Sequence, residues 1–362
     1  MNKLFFISTL LLIYVNSLVF AQDNQYNCET FLAEIKQLYD NGRYKIITDN
    51  IENLINKCSY STQEQVYLYK YVIATYKTIN YNEEYIDYVQ KLLQLDPHYR
   101  YQTNDPLPLK GIRDFYNIYP KYTLGLIIGT DVVLVNRINV YQVFDSSDAT
   151  LPYVSLPALN TSFLMQYNLN KRFSLAYDIG FYFSNFTKNI TFYNGLLRTS
   201  YRESIQGIGN KLAFKINFPF NYKEYKISPY FISGGFFDLR VKITGHLNLS
   251  INDTSMLNQY PDFDFNARSS VIYHILLGPK PSRLPFNYGY LLGTGINFIS
   301  KNTAIFAEIL YQRGFEFNNN PKVRFVNPIL RNYYYIDDDI MLNKVFFRLG
   351  LTYSFKYKVV KK

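Results

Sequence analysis

Three histidines and a short acidic run are the side chains of this sequence that first invite a chemical interpretation. No two of His98, His246 and His274 have the spacing of a metal-ligand pair on one element. Asp337–Asp339 could hold calcium, but we expect a solvated loop. No nucleophile elbow and no phosphate-binding loop ahead of a helix occurs. The sequence therefore predicts no cofactor and no metal site.

One enzymatic hypothesis stays open. His246 with Ser250, or His274 with Ser269 or Ser270, could activate a serine or a water next to an acyl chain. This would define a lipid-modifying enzyme. We expect instead that the protein is not an enzyme.

The elements that would carry these residues are strands with two different faces. From Val345 to Phe355, every second residue is apolar, and the intervening positions include Arg348, Gly350 and Ser354. Phe173 to Ser184 repeats this pattern with Asp178 on the polar side. An apolar face backed by a polar face suits lipid outside and a polar lumen inside.

The same alternation recurs in eight segments and predicts a closed barrel. We place the strands near 121–134, 157–169, 172–186, 203–219, 225–246, 287–300, 303–316 and 343–356. Links after the even strands are short and links after the odd strands are long, as in outer-membrane barrels. The predicted fold class is membrane all-β: an eight-stranded antiparallel up-and-down transmembrane β-barrel at 120–356, preceded by a small α-helical hairpin domain and followed by a periplasmic tail at 357–362.

Charged residues in the strands are predicted to face the lumen, because lysine or arginine facing lipid at mid-bilayer would cost about 2–4 kcal/mol each. We interpret them as a structural salt-bridge network that plugs the barrel, and an ion or proton path is the alternative. The predicted lumen residues are Asp131, Asp178, Lys211, Lys215, Asp238, Arg240, Lys242, Glu308 and Arg348.

Composition agrees with a membrane location. The chain has 37 Tyr, 29 Phe and no Trp, so tyrosine and phenylalanine would have to form any interfacial girdles. The formal net charge is +10, but the basic residues are spread along the chain, which argues against nucleic-acid binding. Anionic lipid or lipopolysaccharide headgroups are the expected partners of these charges.

The N-terminus resembles a secretory signal. A basic residue, Lys3, precedes an apolar run that ends at Ala21, so we expect a signal peptide at 1–21, with a retained anchor as the alternative. The expected location is the bacterial outer membrane.

In residues 22–119 the apolar side chains have the spacing of helices instead of strands. Ser61 with Glu64 predicts a capping box, and Gly42 separates the first two helices. Tyrosines occupy the same positions in the two segments Leu38–Tyr44 and Thr75–Tyr81. This shared spacing favours two hairpins of tetratricopeptide type. We expect this domain to be periplasmic. Its candidate partner-binding residues are Tyr44, Tyr67, Tyr71, Tyr81 and Tyr88, although these side chains could also pack between helices.

The only two cysteines lie in this domain. Cys28 begins the first predicted helix and Cys58 ends the second, so an antiparallel hairpin brings them together. In an oxidising compartment we expect a disulfide, with two buried thiols as the alternative.

Three segments carry a family resemblance. Pro229–Gly235, Leu212–Phe218 and Leu349–Phe355 resemble outer-membrane β-barrel proteins of the PorT-like group of Bacteroidetes, with barrels similar to those of OmpA and OmpX type. The resemblance implies an eight-stranded barrel, and some members of the group serve type IX secretion. The helical domain and the seven residues after Phe355 depart from this pattern.

We therefore expect a barrel that anchors a periplasmic protein-interaction domain, as a scaffold or accessory subunit of an envelope machine for secretion or outer-membrane assembly. Its partners would be periplasmic or outer-membrane proteins. The alternative is an adhesin or receptor that uses the loops at 247–286 and 317–340.

Overall fold

The computed structural model describes residues 28–141, 153–192, 197–222, 225–251, 270–274, 282–323, 325 and 335–362. The predicted signal peptide lies outside these residues, as does Ser269. The chain divides into two compact units. One combines the N-terminal part up to Tyr119 with Lys356–Lys362, and the other comprises Pro120–Phe355.

The N-terminal unit contains four helices in antiparallel hairpins. They are α1 (28–40), α2 (Tyr44–Lys57), α3 (Thr62–Thr78) and α4 (Asn82–Leu95), followed by the 3-10 turns Leu107–Leu109 and Ile112–Phe115. The capping box at the start of α3 is present, since Ser61 and Glu64 bond each other's backbone N–H groups. None of the helices in the described ranges is both long enough and apolar enough to cross a lipid bilayer.

The core of the helical unit contains a contribution from the far end of the chain. Ile47, Ile51 and Val72 are buried in it, and Val359 is buried in the same cluster. The backbone N–H of Lys362 also donates to the carbonyl of Phe115 at 2.9 Å. The segment predicted as a tail is therefore part of this folded unit, and the last strand continues to Lys361.

Eight long antiparallel strands form the second unit. Their bounds are β1 Tyr116–Asn139, β2 Ala158–Asn168, β3 Phe173–Phe192, β4 Leu197–Asn217, β5 Tyr225–Ile251, β6 Phe286–Ser300, β7 Thr303–Phe317 and β8 Asp339–Lys361. Each pairs with the next along the chain, and β8 pairs with β1, so the sheet closes into a ring. Three short strands, Val154–Leu156, Phe220–Tyr222 and Ser270–His274, add to β3 or β5. The structure thus contains the predicted ring of eight strands, which we call the barrel.

The two ends of the barrel differ. The links from β2 to β3 and from β6 to β7 are short, and Lys301 in the second takes the positive φ that a tight turn needs. We call this the turn end, and the opposite end the loop end. Both Pro120 and Phe355 lie at the turn end, because β1 starts there and β8 finishes there.

Side chains alternate between the two faces of the barrel wall as predicted. In β3, Ser174, Asp178 and Tyr182 are buried inside, whereas Phe181 and Phe183 are exposed outside. Some inward positions are glycines that an aromatic ring covers. A Cβ added to Gly350 would collide with Phe306, so at this position only glycine leaves room for the ring.

Candidate functional site: the charged interior of the barrel

Of three groups of charged residues inside the barrel, the one nearest to the turn end comes from β3, β4, β7 and β8, and we call it the central cluster. Arg348 forms ion pairs with Asp178 and with Glu308, whose Oε1 lies 3.1 Å from Arg348 Nε. The Tyr230 hydroxyl donates to Glu308 at 2.8 Å, and Lys211 Nζ lies 3.9 Å from Asp178. Arg348 is therefore the hub that pairs with both carboxylates. The central cluster is Asp178, Lys211, Lys215, Glu308 and Arg348.

A second group lies further towards the loop end. Lys344 Nζ donates to Asp238 at 3.0 Å, and Ser184 donates to Asp131 at 2.8 Å. Arg240 is buried, has no carboxylate of the described residues at hydrogen-bond distance, and donates instead to the carbonyl of Leu284 at 2.8 Å. Three strands, β1, β5 and β8, thus bring charges of both signs to this part of the interior.

A rim cluster at the loop end was not predicted. Arg283 forms a bidentate pair with Asp337, with both N–O distances 2.8 Å, and its Nε donates to Glu203 at 2.8 Å. Lys188 pairs with Asp338 at 2.5 Å, and all five of these side chains are buried. Arg283 and both aspartates lie outside the strands, so residues between strands contribute to this cluster.

The prediction of a solvated loop at Asp337–Asp339 is wrong. All three side chains are buried, and Asp339 accepts hydrogen bonds from Asn319 and Asn139, both at 2.9 Å. Within the described residues, no group of three or more histidine, cysteine, aspartate or glutamate side chains could hold a metal ion. The carboxylates of Asp337–Asp339 therefore have hydrogen-bond donors and cations of the protein itself as partners.

Lys242 is the predicted lumen residue that faces outwards. Gln206 pairs with Lys242 but Gly207 pairs with Arg240, so Val241 is an extra residue in β5. This bulge shifts the alternation by one position, and Lys242 is exposed whereas Ile243 is buried. The other predicted lumen residues are buried or nearly so.

The outer wall carries an apolar belt that ends abruptly. On β3 the outward positions are apolar or aromatic from Phe173 to Phe183, and Phe181 is 64% exposed. Beyond that level they become polar, and the same change occurs on β4 and β5. The polar outward positions are Asn185, Thr187, Asn189 and Thr191 on β3, Arg202, Ser204 and Gln206 on β4, and Lys242, Thr244, His246 and Asn248 on β5. A contiguous apolar surface of this kind marks contact with lipid or with another protein.

The predicted partner-binding tyrosines divide into two sets. Tyr71 and Tyr88 are 5% and 4% exposed, so they pack between helices and cannot bind a partner directly. Tyr67 and Tyr81 are 36% and 56% exposed, and Tyr44 is half-buried. Only this second set can contribute to a binding surface.

The tyrosines with the shared spacing occupy equivalent places. Tyr39 contacts Tyr44 with ring centroids 5.7 Å apart, and Tyr76 contacts Tyr81 at 6.4 Å. Each pair spans the turn inside one helical hairpin. The two hairpins are therefore alike at this position, and the assignment to the tetratricopeptide type stays a prediction.

Asp105 organises the segment after α4. It accepts hydrogen bonds from Lys70 Nζ at 2.7 Å, the Tyr99 hydroxyl at 2.8 Å and the Gln102 backbone at 2.8 Å. Burial alone would raise the pKa of Asp105, but these hydrogen bonds outweigh burial and hold the pKa below its ordinary value. The ionised form is thus the one that the folded unit stabilises.

We expect Asp105→Asn to weaken this segment at neutral pH by about 1.5–3 kcal/mol, the range for a hydrogen bond to a charged group. Because the folded pKa is lowered, the ionised carboxylate contributes fully above the unfolded pKa of about 3.9 and loses its contribution as pH falls through the folded pKa. Hydrogen exchange of peptides from 96–109 in the full chain should show a difference from wild type at pH 7 that shrinks below about pH 4. The exposed Asp49→Asn serves as the control, and an equal difference at both pH values would contradict the assignment.

The proposed lipid-modifying pair on β5 is not assembled. His246 and Ser250 are four residues apart on one strand, which separates them by roughly 13 Å at 3.3–3.4 Å per residue. Ser250 Oγ donates instead to the carbonyl of Arg198 at 3.3 Å. The side chain of His274 lies outside the described residues.

The fold and interior define the class of the chain: an eight-stranded antiparallel β-barrel with a charged interior and a helical N-terminal unit. No protein-family model matches the sequence, and no curated protein matches it by sequence. The resemblance to the PorT-like group therefore stays a prediction.

Solved structures of outer-membrane barrels match about two thirds of the chain at low similarity. Outer membrane protein OprG from Pseudomonas aeruginosa is 8% identical over 66% of this chain and 97% of its own, with a TM-score of 0.35. The N-terminal β-barrel domain of OprF from the same species is 10% identical over 65% and 98%, with a TM-score of 0.26. Neisserial surface protein A is 9% identical over 65% and 97%, with a TM-score of 0.29.

Proposed function

We propose that the protein is a non-enzymatic outer-membrane barrel that holds its helical unit in the periplasm as a protein-interaction domain. The observation that carries the membrane assignment is the sharp upper edge of the apolar belt on β3, β4 and β5. The stretch from Phe173 to Phe183 matches the roughly 9–11 residues that a tilted strand needs to cross the bilayer. Charges inside and apolar side chains outside are the reverse of the arrangement expected in water.

The topology supports the orientation. Short turns of bacterial outer-membrane barrels face the periplasm. Since the chain enters and leaves the barrel at the turn end, the helical unit would then be periplasmic. Such a compartment is also oxidising, in agreement with the disulfide between Cys28 and Cys58.

A matched pair of arginine substitutions tests the membrane assignment. Ile179→Arg places a charge near the middle of the belt and is expected to cost about 2–4 kcal/mol in a bilayer, whereas Thr187→Arg lies beyond the belt and should cost about 1 kcal/mol or less. Urea unfolding of each variant in lipid vesicles, followed by gel mobility without boiling, measures the difference. Equal stabilities of the two variants, or failure of the wild-type chain to enter vesicles, would refute the proposal.

The interaction role rests on the exposed tyrosines of the helical unit. Tyrosine combines a large contact area with a polar hydroxyl, and helical hairpins offer grooves to peptide or helix ligands. We propose that Tyr67 and Tyr81 contact a subunit of a secretion or outer-membrane assembly machine. A photo-crosslinking residue at either position should give one specific product in intact cells, and the product should be absent with the residue at the exposed position Asn56. Products of equal yield at all three positions would argue against a defined surface.

One observation favours a second candidate, an adhesin or receptor. β3 and β4 remain paired up to Phe192 and Leu197, beyond the apolar belt, and their outward faces there are polar. This ribbon would project from the cell surface. Replacing its outward residues Asn189 and Thr191 by alanine, which keeps Lys188 of the rim cluster in place, would abolish surface binding by an adhesin and leave the periplasmic crosslinks unchanged.

A further inference from the structure

The central cluster contains one more cation than its carboxylates can balance. Its cavity is lined by Lys211, Lys215 and Arg348, against Asp178 and Glu308. Arg348 already pairs with both carboxylates, and Lys211 lies near Asp178. The excess positive charge therefore belongs to Lys215.

Lys215 is buried, and within the described residues no carboxylate lies at ion-pair distance from its ammonium and none accepts a hydrogen bond from it; Glu308 attracts it only from further away. Lys215 Nζ instead lies 4.2 Å from the centre of the Tyr230 ring and 5.3 Å from that of Phe306. An ammonium carries three donors, and two aromatic faces satisfy only part of that demand. Burying a charge that is only partly compensated is unfavourable, so a partner in the cavity would be favoured.

The shape of the cavity limits what this partner can be. Beside the charges, its walls are apolar, with Ile127, Leu164, Ile232 and Leu291 among them. The space has room for about one water molecule. A water would accept a hydrogen bond from Lys215 but leave the net charge in place. A monatomic anion would accept the hydrogen bond and also balance the charge. Polyatomic anions are too large.

We propose that this cavity binds a small monovalent anion such as chloride, held by the ammonium of Lys215 with Lys211 as a second cation. The site is formed entirely by the described strands of the barrel. It does not depend on the proposed periplasmic role, because the charge balance is a property of the barrel alone.

Bromide replaces chloride in a direct test. The full mature chain, folded in detergent and crystallised in sodium bromide, should show an anomalous peak in the cavity next to Lys215 Nζ. A water at that place, or bromide at the protein surface only, would overturn the proposal. This measurement needs no variant, so it decides even where a substitution prevents folding.

Stability titrations supply the second test. At constant ionic strength, replacing sodium gluconate by sodium chloride should raise the urea midpoint of the wild type until the site saturates. Lys215→Met should lose this response, and Lys242→Met, which removes the same charge from the outer face, should keep it. Absence of a response in the wild type, or its loss in both variants, would contradict anion binding at Lys215.

Discussion

Replacement of Arg348 by methionine is expected to lower the free energy of unfolding of the barrel by about 3–5 kcal/mol, the range for breaking a buried ion pair. The variant leaves Asp178 and Glu308 buried without their main cation. Lys211 lies 3.9 Å from Asp178 and compensates only part of the loss. Because the chain has no tryptophan, urea unfolding is followed by tyrosine fluorescence and gel mobility.

Two further variants separate charge from packing. The triple variant Arg348→Met, Asp178→Asn, Glu308→Gln removes the unpaired carboxylate charges and should recover much of the lost stability, since neutral amides cost far less to bury. The exposed Arg202→Met should change stability by no more than about 0.5 kcal/mol. If Arg348→Met were as stable as Arg202→Met, water would have to reach the two carboxylates.

The strands could be predicted because their two environments alternate with the chain. A period of two fixes which residues face inwards, and in β8 this placed Arg348 in the interior correctly. The same phase includes Lys344 on β8 and Glu203 on β4, which lie inside the predicted strands and which applying the alternation to every position would have found. Prediction failed at Lys242 because the bulge at Val241 changes the phase, and a bulge has no signature in this sequence.

The rim cluster could not be predicted, because its hub is outside every strand. Arg283 occupies a segment without periodicity, and its carboxylate partners come from β4 and from the residues just before β8. Asp337–Asp339 have the composition of a solvated loop, and only the tertiary structure shows them folded into the end of the barrel. In the helical unit, likewise, nothing in the sequence distinguishes the buried Tyr71 from the exposed Tyr67.

The disulfide has the largest expected effect in the helical unit. Cys28 and Cys58 are bonded, as predicted, and the bond joins the start of α1 to the end of α2 across a separation of 30 residues. Closing a loop of this length restricts the unfolded chain and is worth about 3–4 kcal/mol in the chain-entropy model. The variant Cys28→Ser, Cys58→Ser should lose this amount.

The loss should be confined to one unit, because the bond constrains only α1, α2 and their connection. Ile35 on α1 and Ile47 on α2 are buried in the helical core, so the two helices would still pack but would separate more readily. In the double variant, hydrogen exchange should accelerate about a hundredfold or more in peptides from 28–57, because 1.4 kcal/mol corresponds to a factor of ten. Peptides from β3 and β4 should exchange as in the wild type. Reduction of the wild type should reproduce the effect, and reductant should not change the double variant. Equal acceleration in helices and strands would mean that the two units unfold together, and that the bond supports the whole chain.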